Sequence, residues 1–333
     1  MIIASWISGW RRVAQALGMA AGVHALSFLL ALPLATLVGD RIAAQLGSSV
    51  EAGAVADGVN NDWWSEFTAQ ATGLSTTFTP SIIGFASTLD TLSRVLDARY
   101  PPAALMALLG AYLALWTFLS GGLLDRYARQ RPIRAHGFFS AAGRLFFRLA
   151  RLTAIAGLLY WLLFAYVHPW LFAEALKDVT RTVGVERTTF FWRLFFYAIF
   201  GIALITINVA VDYARIRLVV EDRRSALGAL RAAVRFLWHH PLHVIGLYAL
   251  NGATFVLLLA LWSVAAPGVY GPGMMMWLVF AAGQLYLFAR LALKLHFLAS
   301  QTALFQAHLA HARYSAAPVQ AWPESPAAEL IAR

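Results

Sequence analysis

Residues 241–266 read PLHVIGLYALNGATFVLLLALWSVAA, a run without any Asp, Glu, Lys or Arg. A helix rises about 1.5 Å per residue, so about 20 apolar residues cross the hydrocarbon core of a bilayer. The whole chain shares this character, since 60% of its 333 residues are hydrophobic and 13% are charged. Soluble domains average about 25% charged residues. The composition therefore excludes a soluble globular protein and predicts a polytopic membrane protein.

Similar apolar runs recur along the chain and predict six transmembrane helices. The expected spans are about 16–38, 102–124, 152–173, 190–211, 241–266 and 273–293. We expect an all-α fold in which these helices form three hairpins in a single bundle over residues 1–312. Residues 40–100 are predicted to form a periplasmic helical insertion, and residues 313–333, which contain three prolines, a flexible cytoplasmic tail.

The basic residues are divided unequally between the two sides of the predicted bundle. Nineteen of the 26 Lys and Arg residues lie on the side of both termini, and seven lie on the opposite side with ten carboxylates. Cytoplasmic loops carry the excess of Lys and Arg, so both termini are predicted to be cytoplasmic. Twenty-four of the basic residues are Arg. With the heavy use of Ala and Leu, this is typical of a GC-rich bacterium and predicts its inner membrane.

The net charge of +10 comes from this basic belt beside the helix ends and not from a separate basic domain. Such a belt indicates contact with anionic phospholipids of the bilayer, and it argues against nucleic acid as a partner. The arginines expected at the lipid headgroups are Arg129, Arg144, Arg148, Arg215, Arg231, Arg235 and Arg290.

A short repeat divides the chain into three units. An aromatic-Ala-Arg step occurs at 127–129, 213–215 and 288–290, and a Ser follows each step by ten or eleven residues. We expect these residues, Ser140, Ser225 and Ser300, to cap new helices. Apolar spacing predicts amphipathic helices over 138–149 and 227–237, and the N-terminal residues 5–12 form a third candidate. Each unit is thus an interfacial helix followed by a transmembrane hairpin.

The predicted periplasmic insertion carries its own apolar pattern. Ile82, Phe85, Leu89 and Leu92 follow three-four spacing, as on one face of a helix, and the pair Trp63-Trp64 suits the headgroup level of a bilayer. Amphipathic helices are therefore expected on this face as well. They either pack as a cap on the bundle or outer leaflet, or form a docking surface.

Four polar residues interrupt the predicted spans: His24, Asn208, Asn251 and Gln284. Polar side chains in a span face the bundle interior or a cavity. They can simply join helices by hydrogen bonds, or they can converge on a cavity for a solute or a lipid headgroup. No Asp, Glu or Lys is expected at mid-depth, which disfavours ion-coupled transport.

Signatures of catalysis and of cofactor binding are missing. The chain has no Walker loop, dinucleotide fingerprint, HExxH or GxSxG motif, and it has no Cys. His240 and His243, and separately His308 and His311, are three residues apart and share a helix face. Since neither Cys nor a matching carboxylate set accompanies them, no metal and no cofactor is predicted, and the protein is expected not to be an enzyme.

One stretch resembles a known class of proteins. Asp212-Tyr213-Ala214-Arg215, followed by Glu221-Asp222 and the helix at Ser225, resembles bacterial six-span inner-membrane proteins that contain domains of unknown function. The resemblance covers the hairpins and implies no active site. Three tandem hairpins also resemble mitochondrial carriers in outline, but the Pro-x-acidic-x-x-basic signature of that family is absent.

Two functions remain open. The first is a non-catalytic subunit or scaffold of a bacterial membrane complex, with other membrane-protein subunits as partners. The alternative is a permease or carrier for a lipid or another amphiphile. A cavity that converges on the four polar side chains would favour the carrier, and a dry bundle of Leu, Phe and Ala would favour the scaffold. The sequence leaves the ligand, the partners and the oligomeric state open.

Overall fold

A computed structural model of the chain describes residues 1–47, 49–57, 60–78, 84–100, 103–181, 184–268 and 273–316. Within these ranges the chain forms helices and no strand. The helices are α1 (Ile2–Ala14), α2 (Leu17–Leu46), α3 (Ala52–Asp57), α4 (Asn61–Gln70), α5 (Phe85–Leu96), α6 (Ala103–Arg129), α7 (Ala135–Leu162), α8 (Leu176–Thr180), α9 (Glu186–Val220), α10 (Ala226–His239), α11 (Pro241–Ala265) and α12 (Met274–Ala316). A short 3₁₀ turn covers Gly73–Thr77, and two π-helical segments join α7 to α8.

Six helical stretches are long and apolar enough to cross a membrane. They are Leu17–Leu46, Leu105–Arg129, Ala135–Thr180, Glu186–Val220, Pro241–Ala265 and Met274–Ala310. Each predicted span falls on one of these stretches. The chain is therefore an all-helical protein of the multi-pass membrane type, as the sequence predicts. The last helix ends at Ala316, and residues 317–333 of the predicted tail lie outside the described residues.

Local capping explains where some helices begin. The Ser225 hydroxyl accepts a hydrogen bond from the Gly228 amide at 3.1 Å, which caps α10 as predicted. The side-chain oxygen of Asn60 accepts a hydrogen bond from the Trp63 amide at 2.9 Å and caps α4 in the same way. Pro241 occupies the first turn of α11, where its missing N–H is tolerated.

The prediction that Ser140 and Ser300 also begin helices is wrong. Ser140 lies inside α7 and Ser300 inside α12, and neither helix contains a proline that would interrupt its backbone hydrogen bonds. The Ser300 hydroxyl donates to the Phe297 carbonyl at 3.1 Å, a bond within the helix. The aromatic-Ala-Arg step likewise ends a helix only at Arg129, since α9 and α12 continue beyond theirs.

The apolar stripe of 138–149 is buried against protein. Phe138, Leu145 and Leu149 pack on α6, where a Cβ added at Gly121 or Gly122 would lie 2.6–3.3 Å from their side chains. On α10 the buried face differs from the predicted one by one position. Its Ala-rich side, with Phe236, turns inward, because small residues allow close approach to α9. Leu227 and Val234 are exposed, and Leu230 and Leu237 are partly buried against the core. The buried positions are Ala226, Ala229, Ala233 and Phe236.

The N-terminal helix α1 packs against both α11 and α12. A Cβ at Gly9 would lie 2.8 Å from both His296 and Ser300, so only glycine allows this approach. The guanidinium of Arg12 donates to the Tyr127 carbonyl and to the Gln306 side chain, both at 2.9 Å. Burial lowers the pKa of Arg12 to about 10. One face of the predicted amphipathic helix 5–12 is therefore buried in the bundle.

Helix α2, by contrast, is loosely held. It contacts α1, α6 and α12, yet only 6% of its most apolar stretch is buried within the protein. Pro33 lies inside it and removes one backbone hydrogen bond. The helix therefore stands partly apart from the rest of the bundle and leaves space on its inner side.

In the insertion, Trp63 and Phe67 are buried, whereas Phe85, Leu89, Leu92 and Val95 are exposed on α5. The C-terminal end of α5 is attached to the bundle. His168 Nε2 lies 2.9 Å from the Leu96 carbonyl oxygen, and Tyr197 donates a hydrogen bond to the Asp97 carboxylate. The predicted Ile82 lies outside the described residues.

Candidate functional site

A cavity of about 940 Å³ lies between α2, α6, α9, α11 and α12, and it is partly open to its surroundings. His24 of α2, Asn208 of α9 and Gln284 of α12 all line it. These are three of the four polar residues for which the sequence left open either hydrogen bonding between helices or convergence on a cavity. The bundle is therefore not a dry core, and the space has the size of known small-molecule sites, about 300–1,000 Å³.

One end of the cavity is charged. Asp212 accepts hydrogen bonds from Tyr248 at 2.7 Å and from Arg215 at 3.3 Å. Arg290 and Lys294 line the same space with Gln301. Arg215, Arg290 and Lys294 outnumber the single lining carboxylate, that of Asp212, so the lining has a formal charge of +2. Electrostatically, this end suits an anion.

The two cations on α12 contact aromatic rings. The Lys294 ammonium lies 3.5 Å from the centre of the Trp116 ring and donates to the Tyr112 hydroxyl at 2.9 Å. The Arg290 guanidinium lies 5.8 Å from the ring centres of Phe255 and Tyr286. Among the described residues, neither cation has an ion pair within 4.0 Å. Both charges are thus positioned by π-systems and remain available to an anionic ligand.

The other end of the cavity is apolar. Along α2 the polar lining residues His24 and Ser27 come first and the apolar ones follow. Along α12 the cations Arg290 and Lys294 come after Phe280, Gln284 and Leu287, and leucines lie between and beyond the two cations. The apolar lining of these two helices includes Phe28, Ala31, Ala35, Phe280 and Leu287. The ring centres of His24 and Phe288 are 5.7 Å apart, in an edge-to-face arrangement. The cavity therefore has a cationic and an apolar end, with Asn208 about one helical turn from Asp212.

Asn251 lies outside this cavity. It is fully buried, donates to the Ser300 hydroxyl at 3.0 Å and accepts from His296 Nε2 at 3.1 Å. The indole ring of Trp10 stacks on the His296 ring at 4.3 Å. For Asn251 the structure therefore shows interhelical hydrogen bonding, the alternative that the sequence left open.

The arginines predicted at lipid headgroups fall into three groups. Arg129 and Arg144 pair with Asp125 at 2.9 and 3.6 Å, and Arg148 pairs with Asp222. Arg215 and Arg290 line the cavity. Arg231 and Arg235 are exposed on α10, on the side that also exposes Leu227, Val234 and Trp238.

The charged end of the cavity was not recognised from the sequence, although a signal was present. Asn208, Asp212 and Arg215 follow a four-three spacing, and Leu287, Arg290 and Lys294 follow a three-four spacing. Residues at these intervals share one helix face. The sequence predicts no carboxylate or Lys at mid-depth, yet Asp212 and Lys294 both lie on stretches able to span a membrane.

No protein-family model, curated protein or solved structure matches the chain. The residues of the cavity therefore carry the functional assignment. Among the described residues, one group of three potential metal ligands occurs, and it lies outside the cavity at His240, His243 and His308.

Proposed function

We propose that the protein is a non-catalytic carrier or permease that binds an anionic amphiphile, such as a phospholipid, in this cavity. The observation that carries the proposal is the pairing of a cationic end with an apolar end in one space of about 940 Å³. An anionic headgroup would contact Arg215, Arg290 and Lys294, and its hydrocarbon chain would lie along the phenylalanines. Both parts of an amphiphile thus have a matching surface.

The energetic argument rests on the two cations of α12. Among the described residues, Arg290 and Lys294 have no carboxylate partner, and a counter-ion placed close to a cation is attracted to it. A phosphate or carboxylate would supply the missing counter-charge to Arg290 and Lys294. Asp212 is already engaged by Arg215 and Tyr248, so its charge is the most compensated in the cavity.

Access is proposed to occur past α2. This helix has the fewest buried residues of the six candidate spans, and Pro33 weakens its middle. Displacement of the part of α2 beyond Val23 would open the cavity and leave Ala20 and Val23 in the packed core. A lipid would enter sideways from the bilayer.

The proposed setting is a bacterial inner membrane with both termini in the cytoplasm, as the charge distribution favours. In this topology α10 lies in the cytoplasmic interface, with Arg231, Arg235 and Trp238 at the headgroups. Because the chain has no Cys, single cysteines report topology cleanly. Arg224→Cys should react with a membrane-impermeant maleimide only after lysis, and Ser65→Cys already in spheroplasts. The reverse pattern would overturn this topology.

The function is tested by native mass spectrometry of protein gently extracted from its own membrane, with bound lipids identified from the same sample. The expected result is an anionic lipid bound at about one per chain. It should be lost in the double variant Arg290→Gln/Lys294→Gln. The matched control is Arg181→Gln/Arg187→Gln, which removes the same charge from two exposed residues outside the cavity and should retain the lipid. Equal lipid content in both double variants would overturn the proposal.

The scaffold hypothesis keeps one supporting observation, the exposed apolar face of α5 at Phe85, Leu89 and Leu92. Such a face suits a neighbouring membrane subunit. A stoichiometric protein in the same mass spectra, displaced by Leu89→Ser/Leu92→Ser, would support this role.

A further inference from the structure

Three imidazole rings meet where the corner between α10 and α11 packs on α12. His240 precedes Pro241, His243 lies in the first turn of α11, and His308 lies on α12. One ring nitrogen from each of the three lies within 4.8 Å of the others. The ring centres of His240 and His308 are 4.1 Å apart, and those of His243 and His308 are 5.0 Å apart.

We propose that these three histidines form a binding site for a borderline divalent transition-metal ion, with Zn²⁺ as the best fit. Tetrahedral Zn²⁺ takes imidazole nitrogens at about 2.0–2.1 Å, which puts its ligand atoms roughly 3.4 Å apart. The separations are at most 4.8 Å, so each exceeds that value by no more than about 1.4 Å. Small rotations of half-buried rings close this gap.

The chemistry of the donors selects the class of ion. Imidazole nitrogen suits Zn²⁺, Ni²⁺ and Cu²⁺, whereas Mg²⁺ and Ca²⁺ require oxygen donors. Three protein ligands leave a fourth position open to water. The three histidines come from parts of the chain that meet only in the folded protein, so the sequence could not show the set. Sequence spacing places His308 beside His311, whereas the fold places His308 beside His240 and His243.

The three histidines are packed against an aromatic ring on one side and are accessible to solvent on the other. The Phe236 ring lies against His240 at 5.0 Å and against His308 at 5.5 Å. All three histidines are only half-buried, so an ion can reach them from solvent. A bound ion would join the α10–α11 corner to α12, the helix that also carries Arg290 and Lys294. The site is separate from the cavity, and its existence is independent of the proposed carrier function.

The test is titration of the full-length protein with ZnCl₂ after chelator treatment and buffer exchange, using a purification tag that contains no histidine. We expect one Zn²⁺ per chain by isothermal titration calorimetry and elemental analysis, and a rise in Tm of several degrees. His240→Ala and His308→Ala should each weaken binding at least tenfold. The milder variant His243→Gln should weaken it without loss of folding.

Two controls separate this site from other histidines. His239 is exposed, and its Nδ1 lies 2.7 Å from the Arg235 carbonyl oxygen of its own helix. His136, in the first turn of α7, is exposed as well. His239→Ala and His136→Ala should therefore bind Zn²⁺ as the wild type does. Co²⁺ in place of Zn²⁺ should give the intense visible absorption of a tetrahedral ion. Absence of stoichiometric binding, or equal loss in His239→Ala and His308→Ala, would overturn the proposal.

Discussion

The Tyr248 hydroxyl donates a hydrogen bond to Asp212 Oδ2 at 2.7 Å, and this bond joins α11 to the charged end of the cavity on α9. Asp212 also accepts from Arg215, so the carboxylate is held from two sides. Its side chain is only 15% exposed. The Asp212 carboxylate is therefore held in a fixed position on α9, while Arg290 and Lys294 line the cavity from α12.

Removal of this hydrogen bond should destabilise the bundle. Tyr248→Phe leaves a buried carboxylate oxygen without its donor, a loss that costs about 1–3 kcal/mol. The measurement is unfolding in detergent followed by circular dichroism. Tyr100→Phe is the matched control, because Tyr100 is 79% exposed and should be neutral. Equal stability of the two variants would show that the bond contributes nothing.

The cavity charge should set anion affinity in both directions. Asp212→Asn removes the negative charge while the amide oxygen still accepts from Tyr248, so binding of phosphatidylglycerol should strengthen. Arg290→Gln should weaken it. A change of about tenfold corresponds to 1.4 kcal/mol, which is within the range for one charge in a partly buried site.

These affinities can be measured with fluorescent phosphatidylglycerol in phosphatidylcholine nanodiscs. Phosphatidylcholine itself should show a much smaller response, because it carries no net charge. If both substitutions shift affinity in the same direction, the electrostatic account of the cavity is wrong.

The close approach of α1 depends on Gly9. In Gly9→Ala the new Cβ would lie 2.8 Å from Ser300 Cβ and from His296 Cε1, so α1 must move away from α12. Overpacking of this kind costs about 1–3 kcal/mol. Gly18→Ala is the control, since nothing lies within 4 Å of its added Cβ. Helix propensity makes that change neutral or stabilising. The midpoint of thermal unfolding should fall in Gly9→Ala and not in Gly18→Ala. Equal midpoints in the two variants would contradict the prediction.

The attachment of α5 should weaken in acid. The hydrogen bond from Tyr197 holds the pKa of Asp97 below its ordinary value of 3.8. A carboxylate with a lowered folded-state pKa contributes stability above its ordinary pKa, and the contribution disappears as the pH falls through the lowered value. The protection factors of residues 85–96 in hydrogen exchange, corrected for the intrinsic rate at each pH, should therefore fall below about pH 4.

The matched variant for this prediction is Tyr197→Phe, which removes the donor. It should exchange faster than the wild type at neutral pH and show a smaller additional effect of acid. Among the described residues, Asp90 forms an ion pair only with Arg94 of its own helix, so Asp90→Asn should leave the pH dependence unchanged. A pH response that persists in Tyr197→Phe would place its origin at another group.

The spans could be read from the sequence because their signal is local. The uncharged run 241–266 has to be a helix in lipid, since each unpaired backbone group there would cost several kcal/mol. Ser225 was recognisable for a similar reason, because a cap involves only the next three residues. In the sequence, Ser140 and Ser300 resemble Ser225, but no residue near them interrupts the helix that contains them.

The site was only partly predictable. His24, Asn208 and Gln284 were found because a polar residue in an apolar run has to face the interior. The same rule selected Asn251, and the sequence could not show that its partner would be His296, held by Trp10 of α1. Asp212 and Lys294 were missed because a charge near a helix end is usually attributed to the interface.

By itself, the amino-acid sequence determined that this chain is a helical multi-pass membrane protein with six candidate spans, because hydrophobic length and capping act over a few residues. Which polar faces meet depends on how the helices pack against one another. Whether Asn251 lines a cavity or a core, and whether His308 lies beside His240, depends on the packing of helices that are distant along the chain. That packing depends on features such as Gly9 and the alanines of α10, whose meaning appears only when a second helix lies against them.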